Sequence, residues 1–353
     1  MREIVFLAGI LLLLAGCTSP AAEENTLSSD TGKATPAGEN ALTNPNPTTG
    51  RTFLIGTAGF VPKNYPASKT EDWQSLFESL PEYGELFGVY SGWNDTPKEG
   101  IPEQIRTAYE LKKQSGIEPL IAIGIEPDSL TQEEADHYFV THRDAFIETA
   151  RKIAQTYQPK YLALGVEINR FYEKSPVGFD AFVETYTLAH EAIKQQSPNT
   201  KIFPIFQWDY LRGKATLSGK THSPNMELRQ RFSGKMDAIG YTAYPFLEYT
   251  HPNEISDAYF SEMTFEGLPI LITETGWPSQ PVASIQGSEE GQTDYLTRLV
   301  ERTKLLEMEG LIWVFPHASK IPAGGGLFDE ISMKKNDGTP KQVWNEWQNL
   351  REK

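Results

Sequence analysis

From residue 52 onward, eight short apolar runs recur along the chain, and longer segments that mix apolar and charged residues separate them. Each run is too short for a helix and is bounded by Gly, Pro or polar residues, which is typical of a strand buried in a parallel sheet. The runs are 52–57, 86–91, 119–126, 161–169, 201–209, 237–245, 269–274 and 310–316.

The segments between the runs carry apolar residues at helical spacing. The clearest are 102–115, 131–157, 179–196 and 293–309. Eight strands alternating with helical crossovers in about 300 residues predict a single-domain (β/α)8 barrel. A doubly wound open sheet is the alternative, but the GTAGFVP segment after the first run has the wrong spacing for a dinucleotide-binding loop.

The N-terminus has a pattern of its own. Met1 and Arg2 precede an apolar run at 4–14, which is too short to span a bilayer and has the shape of a signal-peptide core. The run ends in Leu-Ala-Gly-Cys, which resembles the lipobox of bacterial lipoproteins. That resemblance implies cleavage before Cys17, the only cysteine, and a lipid on its side chain.

Residues 18–51 are rich in Ser, Thr, Pro, Asn and Ala and show no apolar periodicity, so we expect a flexible tether. The predicted organisation is a signal peptide at 1–16, an anchored Cys17 with its linker at 17–51, and a barrel domain at 52–353. Such a protein would be membrane-anchored and face the periplasm or the cell exterior.

The net charge of the chain limits the classes of binding partner. The formal net charge is −15 and the pI is near 5.0, which argues against a nucleic-acid surface. The six histidines show no HExxH or similar ligand spacing, so we predict no metal site and no cofactor. No protein partner is predicted.

In a (β/α)8 barrel, the residues that end each strand line the active site. Several runs end in polar or aromatic side chains suited to binding a sugar. These candidates are Trp93 and Asn94 after the second run, Glu126 after the third, Glu167 and Asn169 in the fourth, Gln207, Trp208 and Asp209 in the fifth, Tyr244 in the sixth, Glu274 and Trp277 at the seventh, and Trp313 and His317 at the eighth.

Glu167 and Glu274 form the most informative pair, because strands four and seven face each other across the barrel mouth. Retaining glycosidases use two carboxyl groups about 5 to 5.5 Å apart, one as nucleophile and one as proton donor. The negative charge of the nucleophile is expected to raise the pKa of its partner.

The order of these residues resembles clan A, the large group of retaining (β/α)8 glycoside hydrolases. Within the clan, ITETGWPS is similar to the nucleophile strand of family 17, the β-1,3-glucanases. DAIGYTAYPF resembles the sixth strand of families 17 and 53, the latter being β-1,4-galactanases. The resemblance covers about residues 52–353.

The resemblance implies specific roles. Glu274 matches the nucleophile, Glu167 the acid/base, Tyr244 the phenol that bonds the nucleophile, and Trp313 the ring beneath the sugar. Two positions depart from the clan: Val166 stands where an Asn normally precedes the acid/base, and the supporting Arg of strand two is missing. Asn169, Asn94 or Gln207 could replace the lost hydrogen bonds.

We therefore expect a retaining glycoside hydrolase acting on a β-linked glucan or galactan. Two alternatives remain open: a carbohydrate-binding lipoprotein that lost turnover, and a glucan transglycosylase using the same carboxylates. Glu126 and Asp209 could equally be helix caps or solvent-facing, and each tryptophan could serve packing rather than stacking.

Overall fold

The computed structural model describes residues 51–95, 100–282, 284–320 and 326–352. The signal peptide, Cys17 and nearly all of the tether lie outside these residues. The nine strands are all parallel to their neighbours and are buried over most of their length. They are β1 Leu54–Ala58, β2 Leu86–Gly92, β3 Glu118–Gly124, β4 Tyr161–Leu164, β5 Lys201–Phe203, β6 Ile205–Gln207, β7 Ile239–Ala243, β8 Ile270–Thr275 and β9 Met308–Val314.

Nine strands form a barrel of eight because β5 and β6 are two halves of one barrel strand. Only Pro204 separates them; β5 pairs with β4 and β6 pairs with β7. Proline has no backbone N–H, so it interrupts the ladder at this point. The sheet closes where β1 pairs with both β2 and β9. The predicted (β/α)8 barrel is confirmed, and each of the eight apolar runs contains one of its strands.

Helices surround the barrel, and their apolar faces pack against the strands. They are α1 Thr70–Glu78, α2 Glu103–Ser115, α3 Gln132–Tyr157, α4 Ile168–Lys174, α5 Pro176–Gln196, α6 Trp208–Leu211, α7 Asp257–Ser261, α8 Glu289–Thr303, α9 Leu327–Ile331 and α10 Gln342–Glu352. The predicted helix at 293–309 was wrong at its end. The chain leaves the helix at Thr303 and enters β9 at Met308, since Met308 and Gly310 pair with β8.

Local signals explain where the long helices begin and end. Thr131 and Glu134 form a capping box at the start of α3, each side chain accepting a hydrogen bond from the other's backbone N–H. Gly116 ends α2 in the left-handed conformation that glycine adopts without strain. These contacts satisfy backbone groups at the helix ends.

The folded domain includes Arg51, which the sequence assigned to the tether. Its guanidinium is buried, pairs with Glu85 at 2.8 Å and donates to the carbonyl of Leu350 at 3.1 Å. Arg51 therefore connects the start of the domain to α10, its last helix. None of the helices in the described ranges has the length and apolar character to cross a membrane.

Candidate active site

Glu167 lies immediately after β4, at the C-terminal face of the barrel, and is only 2% exposed. Gly165, with φ of 91°, starts the turn that leads to it, and a Cβ at Gly165 would lie 2.4 Å from Ile168. Glu167 itself has φ of 49° and ψ of 44°, the left-handed region that non-glycine residues enter at a cost. The fold therefore holds this carboxyl in a conformation that the chain alone would disfavour.

Two side chains bond the carboxylate of Glu167. Thr242 on β7 donates to one carboxylate oxygen at 2.7 Å, and Arg170 donates to the other at 3.0 Å. The same guanidinium contacts Glu126 at 3.3 Å and Asp128 at 2.5 Å. Burial alone would lower the pKa of Arg170, but the three carboxylates outweigh it and raise that pKa. Arg170 thus remains a cation among acids.

Glu274 lies in β8 and is also 2% exposed. The pairing of β7 with β8 shifts between Tyr241 and Thr242, so that Ile272 pairs with Tyr241 and Glu274 with Thr242. This bulge at Thr273 re-aims the following side chain, as bulges beside active sites commonly do. Glu274 is therefore the register partner of Thr242, the residue that bonds Glu167.

The hydroxyl of Tyr244 donates to Glu274 Oε2 at 2.6 Å. Asp209, fully buried, accepts from the backbone N–H of Tyr244 at 2.8 Å and so helps to hold that residue in place. Burial raises the pKa of Asp209 to about 6, against the hydrogen bonds from Tyr244 and Tyr259. The hydroxyl of Tyr90 donates to the carbonyl of Thr273 at 2.7 Å, beside Glu274.

The charge of Glu167 acts on the pKa of Glu274. Burial, followed by the negative charge of Glu167, raises the pKa of Glu274 to about 8, although hydrogen bonds from Tyr244 and Tyr90 and the charge of Arg170 oppose the shift. The raised pKa favours the protonated form of Glu274 at neutral pH. The sequence placed the raised pKa on the acid/base Glu167, whereas in this structure it is the pKa of Glu274 that burial and a neighbouring carboxylate raise.

The structure brings Glu167, Glu274, Tyr244 and Glu126 together at one end of the barrel. Glu126 follows β3 and is partly buried; burial raises its pKa, and Arg170 opposes that effect. Glu126 also caps the short turn that follows β3, accepting from the backbone N–H of Asp128.

Four predicted stacking tryptophans are buried, and their burial argues against that role. Trp208, Trp277 and Trp313 have no exposed surface, and Trp93 is 5% exposed. A ring without an exposed face cannot stack on a sugar. Three of the four indoles also donate inside the protein, from Trp93 to Tyr138, Trp208 to Tyr259 and Trp313 to Ile331.

Trp313 shows why the sequence-based prediction of stacking tryptophans was wrong. Its ring packs against Tyr295 of α8 and Trp347 of α10, outside the barrel. Side chains alternate along a strand, so Ile312 and Val314 face the interior instead. Trp313 therefore does not line the barrel interior beneath a sugar.

The polar candidates Asn169, Gln207, Asn94 and His317 differ in their hydrogen bonds and exposure. The Asn169 side chain holds the backbone of Gln207, donating to its carbonyl and accepting from its N–H. The Gln207 side chain in turn accepts from the backbone N–H of Tyr210 and donates to Asp209. These bonds commit both amides within the protein and argue against either replacing the clan's missing Asn. Asn94 lies two residues after β2 and is exposed. His317 bonds the Val61 carbonyl at 2.9 Å, and burial lowers its pKa to about 4.

Sequence reasoning missed the parts played by Thr242, Tyr90 and Arg170. Thr242 and Tyr90 lie within predicted strands, and their alternation with apolar neighbours was the available signal. Nothing in the sequence indicated that Arg170 would turn towards Glu167 and two other acids. Within the described part of the chain, no cluster of three or more His, Cys, Asp or Glu side chains could hold a metal ion.

No protein-family model matches this chain, and no curated protein matches its sequence. Solved structures do match. A family 39 glycoside hydrolase from Bacteroides cellulosilyticus WH2 aligns over 84% of this chain and 63% of its own, with a TM-score of 0.57 and 14% identity. This chain thus spans less than two thirds of that enzyme.

Two smaller proteins match over nearly their whole length. Fungal β-1,4-galactanases align over 84% of this chain and 99% of theirs, with a TM-score of 0.56 and 17% identity. A family 17 β-1,3-glucanosyltransferase from Rhizomucor miehei aligns over 82% and 96%, with a TM-score of 0.53 and 16% identity. These likenesses show that the chain shares the fold of these glycoside hydrolases.

Proposed function

We propose that this protein is a retaining glycoside hydrolase that cleaves a β-linked glucan or galactan, with Glu274 as nucleophile and Glu167 as acid/base. One observation carries the proposal: two buried carboxyl groups lie at the barrel mouth, where Thr242 bonds Glu167 and is the register partner of Glu274, and the Tyr244 hydroxyl donates to Glu274. The structural neighbours include galactanases and a glucanosyltransferase, which supports this substrate class.

The mechanism follows from the two environments. Glu274, once ionised, would attack the anomeric carbon while Glu167 donates its proton to the leaving oxygen. Tyr244 would hold the attacking carboxylate in position. Glu167 then acts as base towards water, and Arg170 favours that second step because its charge stabilises the ionised carboxylate.

The productive arrangement needs Glu274 ionised and the proton on Glu167, whereas burial favours the protonated form of Glu274. On substrate binding, the proton would pass from Glu274 to Glu167. This step needs no proton from solvent.

The test uses the full-length chain with a panel of β-1,3-, β-1,4- and β-1,6-glucans and β-1,4-galactan. We expect the wild type to release sugar with retained configuration, and Glu274→Gln to lose at least about 1,000-fold in kcat. A 2-deoxy-2-fluoro glycoside of the cleaved sugar should leave a covalent adduct on Glu274, visible by peptide mass. Sugar release undiminished in Glu274→Gln would contradict the assignment.

Carbohydrate binding without turnover is the second candidate. It is favoured by Val166, which offers no hydrogen bond, and by the ion pair that already occupies Glu167. Binding of panel oligosaccharides by both wild type and Glu274→Gln, with no release by either, would establish it. Transglycosylation uses the same carboxylates and would show as products longer than the substrate.

The lipid anchor is also a proposal. Radiolabelled fatty acid should enter the wild type and not Cys17→Ser, and only the wild type should fractionate with membranes. Labelling of both proteins, or of neither, would overturn it.

A further inference from the structure

Tyr210 is an aromatic residue at the barrel mouth that the proposed catalytic machinery does not use. It lies in α6, three residues after the end of β6, and is partly exposed, unlike the fully buried Trp208 two residues before it. Its backbone N–H donates to the side chain of Gln207 at 2.6 Å. Because Asn169 holds the backbone of Gln207, this segment is tied to α4.

Glu167, the residue before α4, is followed at intervals of three residues by Arg170 and Glu173. Residues three apart lie on the same face of a helix, so these side chains form a row along α4. Tyr210 lies near this row, since His222, on which its ring stacks, bonds Glu173. Gln207, which accepts from the backbone N–H of Tyr210, is bonded to Asn169 of the same helix. Tyr210 therefore lies on the α4 side of the barrel mouth, the side of the proposed acid/base, and the charge of Glu167 contributes to its raised pKa.

The ring is also supported from behind. His222 stacks on it with ring centres 3.7 Å apart and planes 16° from parallel. His222 is in turn held by Glu173 at 2.9 Å through Nδ1 and lies 3.3 Å from the hydroxyl of Ser218 through Nε2. A flat ring held in one orientation loses little entropy when a ligand binds to it.

Ser218, His222 and Glu173 have the order of a nucleophile, a base and an orienting acid. Ser218 is only 2% exposed, however, and also contacts the backbone of Lys220. No substrate could reach its hydroxyl, so these residues serve to support Tyr210.

We propose that Tyr210 is the stacking platform for the sugar on the leaving-group side of the cleaved bond. The inference rests on the proposed function. An acid/base residue gives its proton to the leaving oxygen, so an aromatic ring beside Glu167 faces the sugar that departs. The same position would bind the acceptor sugar if the enzyme transfers glycosyl groups. The substrate is therefore an oligosaccharide or polysaccharide with a pyranose ring in the leaving group.

The test compares two substrates on full-length wild type, Tyr210→Leu and Tyr210→Phe. One is the tetrasaccharide of the cleaved panel polymer; the other is the glycosyl fluoride of the same sugar, whose leaving group has no ring. We expect Tyr210→Leu to lose about 10- to 100-fold in kcat/KM on the tetrasaccharide, mainly through KM, and less than about 3-fold on the fluoride. Tyr210→Phe keeps the flat ring and should stay within about 3-fold on both.

Equal losses on the two substrates, or no loss on the tetrasaccharide, would overturn the inference while leaving the proposed hydrolase intact. Activity of Tyr210→Leu on the fluoride within about 3-fold of the wild type shows that the leucine variant is folded, and Tyr210→Phe is the matched conservative control. If no substrate is turned over, tetrasaccharide binding by calorimetry decides. Binding about 10-fold weaker in Tyr210→Leu than in the wild type supports the platform. Equal Kd values in the two proteins reject it, and so does a wild type that binds no tetrasaccharide.

Discussion

The ends of β4 and β8 present the same side chain to the same cleft in two different environments. Glu167, at the end of β4, contacts a guanidinium and a threonine hydroxyl. Glu274, in β8, accepts from the Tyr244 hydroxyl and pairs with no cation within the described residues. Both are 2% exposed, so burial does not distinguish them.

The difference shows that charge state is decided by neighbours and not by residue type. A guanidinium lies 3.0 Å from Glu167, while burial and the charge of Glu167 raise the pKa of Glu274 and favour its protonated form. One glutamate can then serve as nucleophile and the other as proton donor in the same reaction.

The first way to test this contrast is to neutralise Glu274. Its raised pKa means that the folded protein loses stability as pH rises from about 4.5 to about 8, since the unfolded chain releases this proton first. Glu274→Gln lacks this penalty. We expect its unfolding free energy to exceed that of the wild type by up to about 4 kcal/mol at pH 8, with little difference near pH 4.5.

Urea unfolding at the two pH values measures the difference. Glu301→Gln is the control, because Glu301 is exposed on α8. A gain for Glu274→Gln that is the same at both pH values would show that Glu274 is not the group whose pKa is raised.

The second test removes the cation. Arg170→Met leaves Glu167, Glu126 and Asp128 without their shared partner, so we expect a loss of about 3 kcal/mol in unfolding free energy at pH 7. Arg170 also lowers the pKa of Glu274, and its removal should move the alkaline limb of kcat/KM above its wild-type position near pH 8.

Arg143→Met provides the matched control, because Arg143 contacts Asp144 and Glu184 on the surface and such pairs contribute little. An alkaline limb that does not move in Arg170→Met would mean that Arg170 does not set the charge of the pair.

The smallest expected effect concerns the hydroxyl of Tyr244. Tyr244→Phe removes the 2.6 Å hydrogen bond to Glu274, and a bond to a charged group contributes about 1.5 to 3 kcal/mol. We expect kcat to fall about 10- to 100-fold. Tyr186→Phe, which removes a buried 3.0 Å bond to the carbonyl of Lys235, should leave kcat unchanged. Equal kcat losses in the two variants would reject a specific role for Tyr244.

The sequence by itself determined the barrel, because alternating apolar runs and amphipathic segments leave few other ways to bury the strands. It also indicated the positions of Glu167, Glu274 and Tyr244, since strand ends meet at one face in this fold. Only the tertiary structure decided which side chains face the cleft. The Trp313 ring faces outward to α8 and α10, and a bulge at Thr273 re-aimed Glu274.

The sequence also did not predict that the raised pKa would be that of Glu274. Arg170 and Glu167 are separated by three residues, but their contact depends on the left-handed turn at Glu167 and on the approach of Glu126 and Asp128 from the end of β3. The pKa of a buried group reflects every neighbouring charge and hydrogen bond, and the neighbours of Glu274 come from β2, from α4 and the residue before it, and from the end of β7. Local pattern therefore predicts where the carboxyl groups lie, and long-range packing decides which of them holds the proton.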